Sequence, residues 1–203
     1  MKRRMLWTGI AILGAVGFLG AALLVADHLR PFSQADQGQG RADIGGPFAL
    51  TDHTGAPITE AALQGKVSLI YFGYSYCPDI CPTDLQSIGE TLDLLGNELP
   101  DAQALFVTVD PERDTPEHLA GYVSLFHPNL RGVTGTPEQI EAVKKEFRVY
   151  SKKVSAEEAG TTEYLVDHSA FIYLFDRQGH FVRVFGHGVQ AAEMAAAMKA
   201  VRS

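Results

Sequence analysis

The sequence predicts an α/β sandwich, and three observations carry that prediction. Val67-Ser68-Leu69-Ile70-Tyr71-Phe72-Gly73 and Ala104-Leu105-Phe106-Val107-Thr108-Val109 are continuous β-rich runs, the pattern of strands buried on both faces. Between them, Leu85, Ile88, Leu92 and Leu95 recur at spacings of three and four, one apolar stripe of a helix over residues 83–95. Near the end, Asp176-Arg177-Gln178-Gly179 separates two further apolar runs, at 169–175 and 180–185, as a hairpin does.

The remaining elements fall into place in order. Pro47-Phe48-Ala49-Leu50 and the Thr54-Gly55 turn form an added N-terminal hairpin. Residues 116–126 read as a helix with Thr115 as N-cap and Pro116 at its first position. Thr136-Pro137-Glu138-Gln139 has capping-box spacing and opens a helix with Ile140, Val143 and Phe147 on one face. Residues 151–163 read as an exposed loop or hairpin, and residues 190–201 close the chain as a helix. Strand–helix–strand–helix followed by a hairpin and a helix describes a thioredoxin-like sandwich.

The N-terminus has a different character. Three basic residues in Met1-Lys2-Arg3-Arg4 precede 22 residues without charge, Met5 to Ala26. At ~1.5 Å per residue that run is long enough to cross a bilayer core of about 30 Å. The basic tip predicts a cytoplasmic N-terminus, and Trp7 suits the interface. A cleaved signal peptide is the rival reading; its apolar region would be about 7–15 residues and end in a small-x-small site, which Leu24-Val25-Ala26 is not. Both readings export the rest of the chain. With no Arg- and Ser-rich transit peptide, the expected address is the bacterial inner membrane with the folded part in the periplasm. The predicted organisation is therefore a tip and transmembrane anchor over 1–30, a polar Gly/Gln-rich tether over 31–46, and one domain over 47–203.

Beyond residue 30 the chain holds 13 basic and 23 acidic residues, a balance of −10. That argues against nucleic acid and anionic lipid as partners of the domain and is compatible with a cation or a basic protein.

Chemistry concentrates in Tyr76-Cys77-Pro78-Asp79-Ile80-Cys81-Pro82, which holds both of the chain's cysteines. The segment follows the first buried strand, where open α/β folds place their sites. Pro82 has no N–H to donate and fits the first turn of the next helix, which sets Cys81 at the positive end of the helix dipole and predicts an acidified thiol there. The pair is poised to oxidise to a disulfide or to hold a soft metal as thiolates. Two sulfurs leave a metal incomplete, and seven histidines are available. His168 stands out because it precedes the strand at 169–175, and in a thioredoxin-like sandwich that loop faces the cysteine motif. The plainer alternative is a histidine that merely caps a strand.

Three blocks carry a family resemblance. Tyr71-Phe72-Gly73-Tyr74 with Cys77-Pro78-Asp79-Ile80-Cys81-Pro82-Thr83, then Thr108-Val109-Asp110-Pro111-Glu112-Arg113-Asp114-Thr115-Pro116, then Val166-Asp167-His168-Ser169 resemble the signature of the Sco (SenC) copper-binding proteins. The resemblance implies a membrane-anchored, thioredoxin-like copper protein that helps assemble the binuclear copper centre of cytochrome c oxidase. It further implies Cys77, Cys81 and His168 as copper ligands, one ion per domain, the oxidase's copper-bearing subunit as acceptor and another copper chaperone as donor. Asp110 matches an acidic position of the second block.

The residue chemistry agrees with copper. Two thiolates and an imidazole suit Cu(I) at low coordination, whereas structural zinc wants four ligands and the chain has no further cysteine. Nor is the chain built as a binuclear centre, because residues 82–95 hold neither the histidine nor the methionine that would complete one. The main alternative is a thiol–disulfide oxidoreductase with Cys77 and Cys81 as its redox-active pair, although dedicated redox helices space their cysteines by two residues. A peroxiredoxin-like peroxidase is a distant third, with Arg113 as the one candidate to polarise peroxide.

Overall fold

The computed structural model describes residues 43–201. The apolar span and most of the tether lie outside them, so the anchor predicted over 1–30 is not addressed by the fold. No described helix is long and apolar enough to cross a membrane.

A seven-stranded mixed sheet forms the centre, built from β1 (Ala49–Asp52), β2 (Pro57–Thr59), β3 (Ser68–Gly73), β4 (Gln103–Thr108), β5 (Leu130–Thr134), β8 (Phe171–Phe175) and β9 (Phe181–Gly186). Their spatial order is β2-β1-β5-β4-β3-β8-β9. β3, β4 and β5 run parallel, while β8 and β9 at one end and β1 and β2 at the other are antiparallel. Two shorter strands, β6 (Ser151–Val154) and β7 (Leu165–His168), pair antiparallel as a separate ribbon. The helices are α1 (Ile80–Leu95), α2 (Pro116–Val123), α3 (Pro137–Glu146), α4 (Ala156–Ala159) and α5 (Ala191–Ala200).

The apolar runs explain the layering. Every residue of β3 and β4 is buried, because helices or their flanking residues cover both faces. On one face Tyr71 stacks on Phe106, and Phe106 meets Tyr122 of α2. On the other, Phe72 packs on Phe147 just beyond α3, which also touches Tyr173 and Phe175. α1 lies beside α5, with Thr91 Oγ1 donating to the Ala191 carbonyl. The architecture is the thioredoxin-like α/β sandwich predicted, with the added N-terminal hairpin in place: Asp52 Oδ1 accepts from the N–H groups of Thr54 and Ala56 and from the Thr54 hydroxyl, closing the turn into β2. The expected capping box at Thr136 and Gln139 is formed in both directions.

Several boundaries move. The cysteine helix begins at Ile80 rather than residue 83, and the helix opened by Pro116 ends at Val123 rather than 126. β5 had no sequence signal of its own, since Arg131 and Gly132 interrupt its apolar pattern; Gly132 is there because a Cβ would come within 3.0 Å of Leu119 and 3.2 Å of Val123, so α2 lies close on the sheet. Residues 151–163 are not simply a loop: Ser151–Val154 is the outer strand of the ribbon and Ala156–Ala159 a single helical turn. The strand predicted from residue 169 begins at Phe171, and His168 ends a strand of its own. The chain is already tied to the domain before residue 47, with Gly45 donating to the Glu146 carbonyl and Arg148 to that of Asp43.

Gly73 ends β3 where the sheet meets the cysteine helix. A Cβ there would come within 2.7 Å of Cys81 Sγ and 2.9 Å of Phe106. Gly73→Ala is therefore expected to lower stability by about 1–3 kcal/mol, the range for overpacking a tight core. Denaturant titration of the reduced protein checks this; an unchanged midpoint would show that the helix can withdraw freely.

Candidate metal centre

The site lies at the C-terminal end of β3, in the loop of residues 74–79 and the first turn of α1. That helix starts without a conventional cap: Asp79 occupies the N-cap position, but its side chain makes no capping bond. Pro82 in the first turn has no N–H, so the remaining free donors need few acceptors. One of them, the N–H of Cys81, points at Cys77 Sγ at 3.5 Å. A cysteine sulfur thus fills the place that a serine or aspartate oxygen takes at most helix starts.

His168 arrives from the ribbon. Its Nε2 lies 3.3 Å from Cys81 Sγ, and its Nδ1 lies 3.2 Å from the Ser169 carbonyl. A carbonyl only accepts, so Nδ1 carries a proton, and Nε2 is left facing the sulfurs, to donate to a thiolate when the ring is protonated and to bind a metal when it is not. The edges of Tyr74 and Tyr71 set the ring's orientation, with centroids 5.8 and 6.4 Å away. The ligand atoms of Cys77, Cys81 and His168 all lie within 4.8 Å of one another, and among the described residues they are the group able to hold a metal. The spatial convergence predicted from sequence is present. A chain of two early sulfurs and one late imidazole, with no carboxylate in the group, fits a soft ion of low coordination better than zinc.

The two sulfurs are not equivalent. Cys81 is fully buried and Cys77 half-buried. The Cys77 thiol is pushed down to about 3, chiefly because the Cys81 thiol donates to it, with help from His168 and the N–H groups of Asp79 and Cys81 and against the cost of burial. Cys81 is pushed strongly up, by that same donated bond and by burial. Sequence reasoning assigned the acidified thiol to Cys81 because it is in the helix. The structure gives it to Cys77, because the Cys81 thiol donates to it and the N–H groups at the helix start point the same way.

Around this core stands a second layer that sequence reasoning left without a role. Asp114, fully buried, accepts from the Ser75 N–H (3.1 Å), the Ser75 hydroxyl and Thr108 Oγ1 (2.5 Å), which ties the loop to the end of β4. Ser75 Oγ also lies 2.8 Å from His118 Nε2, whose ring stacks on Tyr76. Asp110 is not in the metal group; it is buried and accepts from Arg113 Nε (2.5 Å) and from the Tyr164 hydroxyl (2.9 Å). Arg113 spends Nε and Nη1 on Asp110 and the Tyr164 carbonyl and lies over the rings of Tyr74, Tyr76 and Tyr164, a commitment that weighs against its offering a fork to peroxide. These contacts run from the second block to Ser75 and Tyr76, in the gap of the first, and to Tyr164, two residues before the third.

In the reduced, metal-free protein, brief treatment with an alkylating agent at about pH 5 is expected to modify Cys77 and spare Cys81, since only thiolate reacts and an ordinary thiol is almost wholly protonated there. Peptide mass mapping reads the result. Equal labelling would mean that the asymmetry is absent.

Comparison with known proteins agrees with the geometry. Residues 36–203 match the SCO1/SenC family model. Protein sco1 of Schizosaccharomyces pombe is 41% identical over 160 residues, covering 78% of this chain and 61% of that protein. An SCO2-like protein of Rickettsia prowazekii is 37% identical over 186 residues, covering 91% of this chain and 90% of its own length. Among solved structures, that of Bradyrhizobium japonicum ScoI with copper bound is 46% identical, has a TM-score of 0.72, and is matched over 78% of this chain and 99% of its own. The chain spans roughly half to two-thirds of the length of the fungal and human relatives it matches. With the family matched over most of its length, the chain belongs to the SCO1/SenC family.

Proposed function

We propose that this protein binds one copper ion through Cys77, Cys81 and His168 and serves the assembly of the binuclear copper centre of cytochrome c oxidase. The observation that carries the reading is the meeting of three soft-metal ligands within 4.8 Å, at an edge of the fold where Cys77 and His168 are only partly buried. Copper is cargo here. Two thiolates and an imidazole hold Cu(I) without saturating it, so an acceptor's thiolates can enter and exchange ligands. The copper-bearing subunit of the oxidase is the acceptor in this reading and a separate copper chaperone the donor. The N-terminal span of residues 5–26 anchors the domain to the bacterial inner membrane, on the periplasmic side.

A second reading has an observation of its own. A thiolate-favouring Cys77 beside a protonated Cys81 is the arrangement of a dithiol that attacks a disulfide and then resolves the mixed intermediate. In that case the protein reduces the acceptor's cysteines before metal arrives, and Cys77 and Cys81 act as a redox pair.

The purified domain is expected to take up one equivalent of copper under reducing conditions. His168→Ala should abolish tight binding while circular dichroism stays that of the wild type. Turnover with a disulfide substrate should be slow and indifferent to His168→Ala. A wild-type protein that takes no copper yet turns over disulfides would replace the first reading with the second.

A further inference from the structure

We infer that Arg113 is a positioning residue of the three-ligand site: its guanidinium locks the β6–β7 ribbon, and His168 with it, against the loop that bears Cys77. The inference rests on the copper reading above and adds to that same site a residue that touches none of its three ligands.

The need for such a device follows from topology. The cysteines belong to the main sheet and α1, whereas His168 belongs to a ribbon whose strands pair only with each other. A metal site tolerates about 0.5 Å of play between its ligands, so something must fix one body against the other. Four links do so along the far half of the ribbon, away from the Ser151–His168 pair, and one is the Tyr164 hydroxyl, which donates to the buried Asp110 at 2.9 Å. Lys153 pairs with Glu112 at 2.7 Å, but both are exposed, and such pairs hold little. The Val166 N–H donates to Tyr74 Oη at 3.2 Å, a single neutral bond. Arg113 is the link that meets both the ribbon and the cysteine loop. Its Nη1 donates to the Tyr164 carbonyl at 3.1 Å, and its guanidinium carbon lies 3.7 Å from the centroid of the Tyr164 ring.

The same guanidinium reaches the other body. It lies 4.6 Å from the ring centroid of Tyr76 and 5.6 Å from that of Tyr74, the residues that lead into Cys77. Asp110, fully buried and bonded to both Arg113 and Tyr164, keeps the arginine from turning away. The planar fork is what permits this. Donors in the plane bond a carboxylate and a carbonyl while the faces remain free for aromatic rings, which an ammonium group cannot do.

The test uses Arg113→Met, Arg113→Lys and Tyr76→Ala, with Asp110→Asn combined with Arg113→Met so that no buried carboxylate is left unpaired. Two readouts are taken. In the copper-loaded proteins, Arg113→Met is expected to weaken binding about 10- to 100-fold, the usual effect of removing a group that orients a ligand. It should also lose the imidazole-nitrogen coupling in the copper spectrum while the thiolate-to-copper charge-transfer band persists, a split that general loss of structure would not produce. Arg113→Lys should fail in the same way, and Tyr76→Ala, on an exposed ring, should show a weaker form of the same split. In the metal-free proteins, amide exchange at Val166 should speed up in each variant while exchange in β3 and β4 does not change. Wild-type copper affinity and an intact nitrogen signal in Arg113→Met would overturn the inference. If the wild type took up no copper, the functional reading would fail by itself and amide exchange would decide the matter: unchanged protection at Val166 would discard the role of Arg113, and loss of protection would sustain it.

Discussion

The site depends on one constraint, the parallel register of β3 with β4. Their six-residue pairing ends with Gly73 opposite Thr108, and Val109 donates to the Gly73 carbonyl one step further on. Two loops therefore leave the sheet side by side. One carries the cysteines, and the other carries Asp110, Arg113 and Asp114, which grip it. A shift of one residue would turn Thr108 away from Asp114 and Gly73 away from Cys81, since successive strand residues face opposite sides. Such a slip is opposed by packing shape, because Leu69, Ile70, Tyr71 and Phe72 are fully buried and each would have to fill a space fitted to a different side chain.

The second block of the sequence owes its composition to that position. Asp110 and Asp114 are both fully buried carboxylates, a costly choice unless each is well supplied with donors. Asp114 draws its donors from Ser75 and Thr108, and Asp110 from Arg113 and Tyr164. Each carboxylate thus joins two chain segments that sequence separates widely. Burial pushes the Asp114 carboxyl above its ordinary range, partly offset by those hydrogen bonds. The acid is a structural rivet here, and none of its bonds goes to a metal ligand.

Much of this was legible in the sequence, and the exceptions have physical causes. The central strands announced themselves because runs such as Leu69-Ile70-Tyr71-Phe72 suit little else. The helix starts at Thr115 and Thr136 were legible because capping chemistry is local. β5 was hidden because Arg131 and Gly132 are set by a neighbouring helix, not by strand propensity. The ribbon was half legible, read as loop or hairpin, because Ser151-Lys152-Lys153-Val154 has no buried residue and so no alternation to mark a strand. Cys77, Cys81 and His168 were nameable as a trio, but the distribution of acidity between the sulfurs was not, since it turns on which thiol donates to the other and which is the more buried. Arg113 drew notice only as a candidate to polarise peroxide, because its partners beyond Asp110 come from two distant stretches of chain, at Tyr74 and Tyr76 and at Tyr164.

The unequal burial of the two sulfurs gives the cavity a grain. Behind Cys81 stand Gly73, Phe106 and Tyr71, packed too tightly to admit a visitor. Cys77 and His168 form the open rim. Under the copper reading, an ion seated there is met first at the partly exposed Cys77 and His168, so an incoming thiolate competes at the rim and the buried sulfur is the last to let go. Handover would then be directional by architecture, with the most secluded ligand acting as the tether that keeps the cargo from escaping to solvent before its recipient has taken hold.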